Sequence, residues 1–144
     1  MNRGYNEAII FALHRLHDES ADGVLILASD LPLVTAGEID QLVRPAVSGA
    51  VRVAVSRDGT GTNGLFLNPS DIIAPAFGEG SAQRHCRLAE AAGVNAETVH
   101  LNGLAFDVDT PADLREFFAL QATTPVGDLS VGVVPARHNL KLSR

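Results

Sequence analysis

Five consecutive apolar residues, Val24-Leu25-Ile26-Leu27-Ala28, run directly into Ser29-Asp30-Leu31-Pro32. So short an apolar run, with no polar residue alternating through it, predicts a β-strand covered on both faces. Strands of that kind belong to layered α/β proteins, which gather ligands at the carboxyl edge of a largely parallel sheet. Asp30 then stands where an exposed carboxylate can hold a ligand. A second acidic segment, Phe106-Asp107-Val108-Asp109-Thr110-Pro111, precedes a helical pattern. Side chains two apart in an extended chain share a side, so Asp107 and Asp109 can face one cation. Together the two segments make an all-oxygen site suited to Mg²⁺ or Mn²⁺, with positions left for water and phosphate. Each segment also has a plainer reading, Asp30 as a turn residue before proline and Asp109 or Thr110 as a helix cap.

The remaining pattern alternates helices and strands. Ala8, Ile9, Phe11, Ala12, Leu13 and Leu16 form the stripe of a helix from about Asn6 to Asp18. Thr35 followed by Glu38 is a capping box for a helix carrying Ile39, Leu42 and Val43, which Pro45 bends or ends. Strands are predicted over Val51–Val55, about Leu65–Leu67 and Thr98–Leu101, with glycine-rich chain between the first two. Ser81 starts a helix that stops near Gly93, and Thr110-Pro111 opens another through Leu120. The expectation is a three-layer α/β fold with a mostly parallel open sheet over residues 1–121. Residues 122–144, with Arg137, His138, Lys141 and Arg144, read as an exposed basic tail.

Two glycine-rich turns offer anion chemistry, beside plainer readings of the first as a hairpin turn and of the second as a serine N-cap behind a glycine turn. Asp58-Gly59-Thr60-Gly61-Thr62-Asn63-Gly64 provides backbone amides with hydroxyl and carboxamide groups. It lacks the Gly-Lys-Ser/Thr of a Walker loop. Phe77-Gly78-Glu79-Gly80-Ser81 precedes a helix, whose free amides and dipole favour an anion. His85, one turn into that helix, reads as a neutral structural histidine, Arg84 and Arg87 as solvated, and Cys86 as packed.

With 144 residues, 46% of them hydrophobic, the chain can bury one real core. Its net charge of −6 argues against a nucleic-acid surface. No apolar run approaches the ~20 residues of a membrane helix. The amino terminus enters a helical pattern without signal-peptide architecture, and the single cysteine forms no intrachain disulfide. A cytoplasmic protein is expected.

In this order, Ser29-Asp30-Leu31-Pro32-Leu33, Gly61-Thr62-Asn63-Gly64-Leu65, Phe77-Gly78-Glu79-Gly80-Ser81 with His85, and Asp107-Val108-Asp109-Thr110-Pro111-Ala112-Asp113-Leu114 resemble the guanylyltransferases of coenzyme F420 biosynthesis. The likeness runs from about Gly4 to Phe118. It implies a Rossmann-like nucleotidyltransferase fold and transfer of GMP from GTP to phosphoenolpyruvate, 2-phospho-L-lactate or 3-phosphoglycerate. It further implies that Asp30, Asp107 and Asp109 hold the divalent metal, that Thr62, Asn63, Gly78 and Ser81 bind the phosphorylated acid, and that Asn6 contacts the nucleotide. In that family a strand and a basic loop precede the Gly-x-Asn helix start. Here Gly4-Tyr5-Asn6 comes at once, so the resemblance implies a domain shortened at its amino terminus. Such a domain leaves an open sheet edge that a second copy or a complementing chain can cover. Two alternatives stand beside this reading, a noncatalytic phospho-acid-binding domain and a nucleotidyltransferase with another acceptor.

Overall fold

The computed structural model describes residues 3–18, 23–45 and 49–123. Helix α1 (Arg3–Asp18) leads to strand β1 (Val24–Leu27), helix α2 (Ala36–Val43), strands β2 (Ala50–Val55) and β3 (Thr62–Asn68), and helix α3 (Ser81–Ala91). Strand β4 (Ala96–Val99), the single turn α4 (Asn102–Ala105) and helix α5 (Pro111–Thr123) complete the order. The predicted tail lies outside the described residues apart from its first two positions, which belong to α5.

The four strands form one sheet in the order β1-β3-β2-β4. Both pairings of β3, with β1 and with β2, are antiparallel, and β2 pairs with β4 in parallel. The sheet is therefore mixed, not mostly parallel. Two features account for the difference. The six residues between β2 and β3 close a hairpin, and a parallel return needs a crossover of a dozen residues or more. The apolar run of β1, expected to be a parallel strand covered on both faces, is instead an antiparallel edge strand with only Val24 buried. The strands buried on both faces are the central β2 and β3, and an apolar run does not specify strand direction.

The three layers are present. Val51, Val53 and Val55 of β2 and Leu65 and Leu67 of β3 point to one face, where they pack with Leu13 of α1 and Ala82 and Ala89 of α3. Ala50, Ala54 and Phe66 point to the other, against Leu42 of α2 and Leu104 of α4. The alternation follows the pleat. Arg52 breaks the apolar run of β2 on the second face, yet it is satisfied. Its guanidinium donates to the carbonyls of Leu42 at 3.0 Å and Arg44 at 2.6 Å, and to Glu97 at 3.1 Å. Those carbonyls lie at the end of α2, where a cation is favoured.

The capping box of α2 also organises the sheet edge. Glu38 Oε2 accepts from the Thr35 amide at 2.9 Å, and Oε1 accepts from the Gly103 amide at 2.7 Å. One carboxylate thus joins the segment after Asp30 to the turn that precedes Asp107. Gly103 must be glycine there, because an added Cβ would stand 2.2 Å from the Leu33 carbonyl oxygen.

Leu65, fully buried at the centre of the first face, should cost about 2–5 kcal/mol as Leu65→Ala. Gly103→Ala should cost about 1–3 kcal/mol through overpacking. Urea unfolding followed by circular dichroism measures both.

Candidate active site

The turn between β2 and β3 is shaped by Asp58. Its carboxylate accepts from the Ser56 hydroxyl at 2.6 Å, the Thr60 amide at 2.9 Å and the Thr60 hydroxyl at 2.8 Å. The Ser56 hydroxyl oxygen in turn accepts from the Gly61 amide at 2.7 Å. These bonds hold the Asp58 carboxyl well below the usual carboxylate range, the Ser56 hydroxyl contributing most. Gly59, at φ +76°, supplies the left-handed step the turn needs.

The second glycine turn abuts the first. The Ala82 amide of α3 donates to the Thr60 carbonyl at 3.1 Å, and the Ser81 amide donates to Gly78 at 3.0 Å. Gly80, at φ +66°, is the N-cap of α3, so Ser81 lies inside the helix and does not cap it. Part of the amide supply expected at this helix start is thus already committed. Beside this helix start stands a buried hydroxyl pair, Ser81 Oγ donating to Thr62 Oγ1 at 3.0 Å.

Behind that pair lies His85, fully buried. Its Nδ1 is 3.0 Å from Thr62 Oγ1, and its Nε2 accepts from the Ala76 amide at 2.9 Å. Phe77 meets the ring edge-on, with 5.1 Å between centroids. Burial, and to a lesser degree the Arg84 charge, pushes its pKa down to about 4. Arg84 is not simply solvated; its Nε donates to the Ala76 carbonyl at 3.1 Å.

These turns form one wall of a cavity of about 460 Å³, and Asp107, Asp109 and Asp113 line it as well. Thr62, Asn63, Gly78 and Ser81 all border it. Asn63 is anchored by donating from Nδ2 to the Leu104 carbonyl at 3.0 Å, which ties β3 to α4. The Asp109 carboxyl is raised above its ordinary range, first by burial and then by Asp107, Asp30 and Asp113. Asp113 is held low by the Thr110 hydroxyl and amide, with which it closes a second capping box.

The expected site residues are not all brought together. Asp107 and Asp109 share the cavity, whereas Asp30 borders a neighbouring depression with Pro32, Val108, Leu114 and Phe117. The Val108 amide donates to the Asp30 carbonyl at 3.1 Å, which brings the two acidic segments side by side. Asp30 is therefore within electrostatic reach of Asp109. Even so, among the described residues no three His, Cys, Asp or Glu side chains converge closely enough to hold a metal ion. Neighbouring carboxylates of this kind fit the donor chemistry of a hard cation, but they are not an assembled three-ligand cage.

Asn6 stands apart from the cavity. Its carboxamide pairs with the Phe77 backbone in both directions, at 3.1 Å and 2.8 Å, steadying the turn before Gly78. Sequence reasoning missed Arg57, among the described residues the one cationic side chain that borders the cavity. It lies over the Phe106 ring, 4.4 Å from the centroid, and pairs with Glu116 at 2.9 Å. Its place two residues after β2 and beside the glycine turn was the available signal.

A family model described as "Guanylyl transferase CofC like" matches residues 1–125. The chain belongs to this family. It is 42% identical to a phosphoenolpyruvate guanylyltransferase of Sphaerobacter thermophilus, over 86% of this chain and 58% of that protein. It is 39% identical to a phosphoenolpyruvate guanylyltransferase of Conexibacter woesei, over 81% of this chain and 54% of the other. With a 2-phospho-L-lactate guanylyltransferase of Methanocorpusculum labreanum it shares 34% identity over 78% of this chain and 50% of the other. This CofC-like chain thus spans about half the length of the curated relatives it matches. No helix among the described residues is long and apolar enough to cross a membrane.

His85 sets a pH dependence. Its folded pKa of about 4 lies below the ordinary 6.5, so the unfolded chain binds more protons between those values. The stabilisation is complete above pH 6.5 and lost as pH falls to about 4, worth roughly 3 kcal/mol in all. Thermal unfolding across that window should show the loss, and His85→Gln should flatten it.

Proposed function

We propose that this CofC-like domain supplies the acceptor pocket and acidic edge of a guanylyltransferase acting on a small phosphorylated carboxylic acid. The relatives' names point to phosphoenolpyruvate or 2-phospho-L-lactate as that acid, with 3-phosphoglycerate the third candidate from the resemblance. The observation that carries the reading is one cavity with Thr62, Gly78 and Ser81 on its wall and Asp107 and Asp109 also at its border. Hydroxyls and glycine backbone suit a phosphate or carboxylate held close to the chain. Carboxylates suit the cation that accompanies a triphosphate.

In the reaction, an oxygen of the acceptor phosphate attacks the α-phosphorus of GTP. The new O–P bond forms as the bond to the β-phosphate oxygen breaks, and pyrophosphate leaves with the electron pair. A phosphate monoester is already a nucleophile at neutral pH, so none of the chain's groups has to remove a proton. Positioning is the chain's task. Thr62, Asn63, Gly78 and Ser81 orient the acid, Arg57 lends positive charge at the rim, and Asp107 and Asp109, with Asp30 beside them, would hold Mg²⁺ or Mn²⁺. When bound, that cation neutralises the charge that accumulates on the phosphates. Asn6 acts through the Phe77-Gly78 turn that it steadies.

One observation favours a second reading. Asp30 borders a neighbouring depression and not the cavity, and a domain that holds the phospho-acid without turning over GTP by itself is compatible with that.

Calorimetry with phosphoenolpyruvate and with GTP, each with Mg²⁺, separates the two readings. Binding of both, with pyrophosphate release, supports the transferase; phosphoenolpyruvate binding alone supports the acceptor-binding domain. Asp109→Asn and Asp30→Asn should each lower Mg²⁺-dependent turnover at least ~10-fold, the effect of losing one charged contact. Unchanged turnover in both variants would refute the metal assignment.

A further inference from the structure

The Ala76 amide can only donate, so the nitrogen that faces it, His85 Nε2 at 2.9 Å, must be the unprotonated one. The neutral ring then carries its proton on Nδ1, which donates to Thr62 Oγ1 at 3.0 Å. Thr62 and Ser81 share a further hydrogen bond of 3.0 Å. Three protons, one on the imidazole and one on each hydroxyl, serve these two contacts. Whichever hydroxyl donates to the other, one hydroxyl proton is left over. Both residues border the cavity, so that donor is available to a ligand held against them.

The geometry points to His85 as a positioning residue of the acceptor pocket: its locked Nδ1–H makes the Thr62–Ser81 pair present a hydroxyl donor to an anionic oxygen of the bound phospho-acid. This rests on the reading that the cavity takes a phosphorylated acid. The opposite tautomer would set Nε2–H against the Ala76 N–H and turn a bare nitrogen toward Thr62. Thr62 would then have to donate inward, and the pair would keep no spare proton beyond a turned-in Ser81. A doubly protonated ring would likewise take the acceptor away from Ala76. Arg84, on the ring's own helix, is the charged group that acts on it and opposes that protonation. Phe77 packs on the ring and brings no charge. The histidine thus acts through hydrogen-bond direction, without touching the ligand.

The test uses the full chain and two variants that split the functions of the ring. His85→Asn keeps a donor near Thr62 and abandons Ala76. His85→Gln keeps an acceptor for Ala76 and removes the donor to Thr62. Affinities for phosphoenolpyruvate and for inorganic phosphate are measured by calorimetry, and the ring nitrogens of the unsubstituted protein are read by ¹⁵N NMR. The expected result is Nδ1 protonation at neutral pH, binding within about threefold of the unsubstituted protein for His85→Asn, and a loss of about tenfold for His85→Gln, one hydrogen bond to a charged group. An Nε2-protonated ring overturns the inference, as does His85→Gln binding at full strength or His85→Asn losing as much as His85→Gln. If a variant does not fold, the ring-nitrogen pattern decides alone. Phosphate binding without phosphoenolpyruvate binding overturns the acceptor reading, and the phosphate arm then judges His85. Binding of neither probe overturns both.

Discussion

A hydrogen bond from the Ala76 backbone to a buried imidazole holds three parts of this molecule in register. The ring belongs to α3, the amide to the loop before it, and the hydroxyl on the other side of the ring to β3. A polar side chain with no solvent exposure is tolerable only because both nitrogens are satisfied, and among the described residues no buried side-chain polar atom lacks a partner. The pocket wall depends on that closure. If the ring turned, Thr62 and Ser81 would lose their common orientation, and the glycine turn they border would lose its backing.

The acidic side of the cavity is held by a different device. Glu38 caps α2 and simultaneously takes the Gly103 amide, while the Asp30 carbonyl takes the Val108 amide. Backbone bonds therefore fix where the two acidic segments run, and the carboxylates themselves are left to repel one another. The Asp109 carboxyl is raised first by burial and then by those acidic neighbours. Carboxylates gathered this way suit the donor chemistry of a hard cation. The backbone bonds also explain why the carboxylates need not stand assembled: what is rigid is the chain that carries them.

Much of the local structure was legible because it obeys short-range rules. Thr35 with Glu38, and Thr110 with Pro111 and Asp113, are capping patterns complete within four residues, and both are present as read. Apolar periodicity found four of the helices, but the single turn Asn102–Ala105 is too short to show any. The glycines of Asp58–Gly64 also read as a hairpin turn, but the expectation of a mostly parallel sheet hid the antiparallel pairing that such a turn implies. Asp58 shows that both roles coexist, since one carboxylate shapes the turn that presents Thr62.

The sequence by itself determined which residues have chemistry to offer: the acidic segments at Asp30 and Asp107–Asp109, and the two glycine turns, all stand out by residue type and spacing. Residue type is a local property, and it survives in a bare string. Only the tertiary structure decided how those groups meet. It put Asp30 beside the cavity instead of in it, gave Asn6 to the Phe77 backbone, brought Arg57 to the rim and buried His85 behind Thr62. Each of these depends on strand order and on which backbone amides already have partners, and both are settled by contacts between residues far apart in the chain.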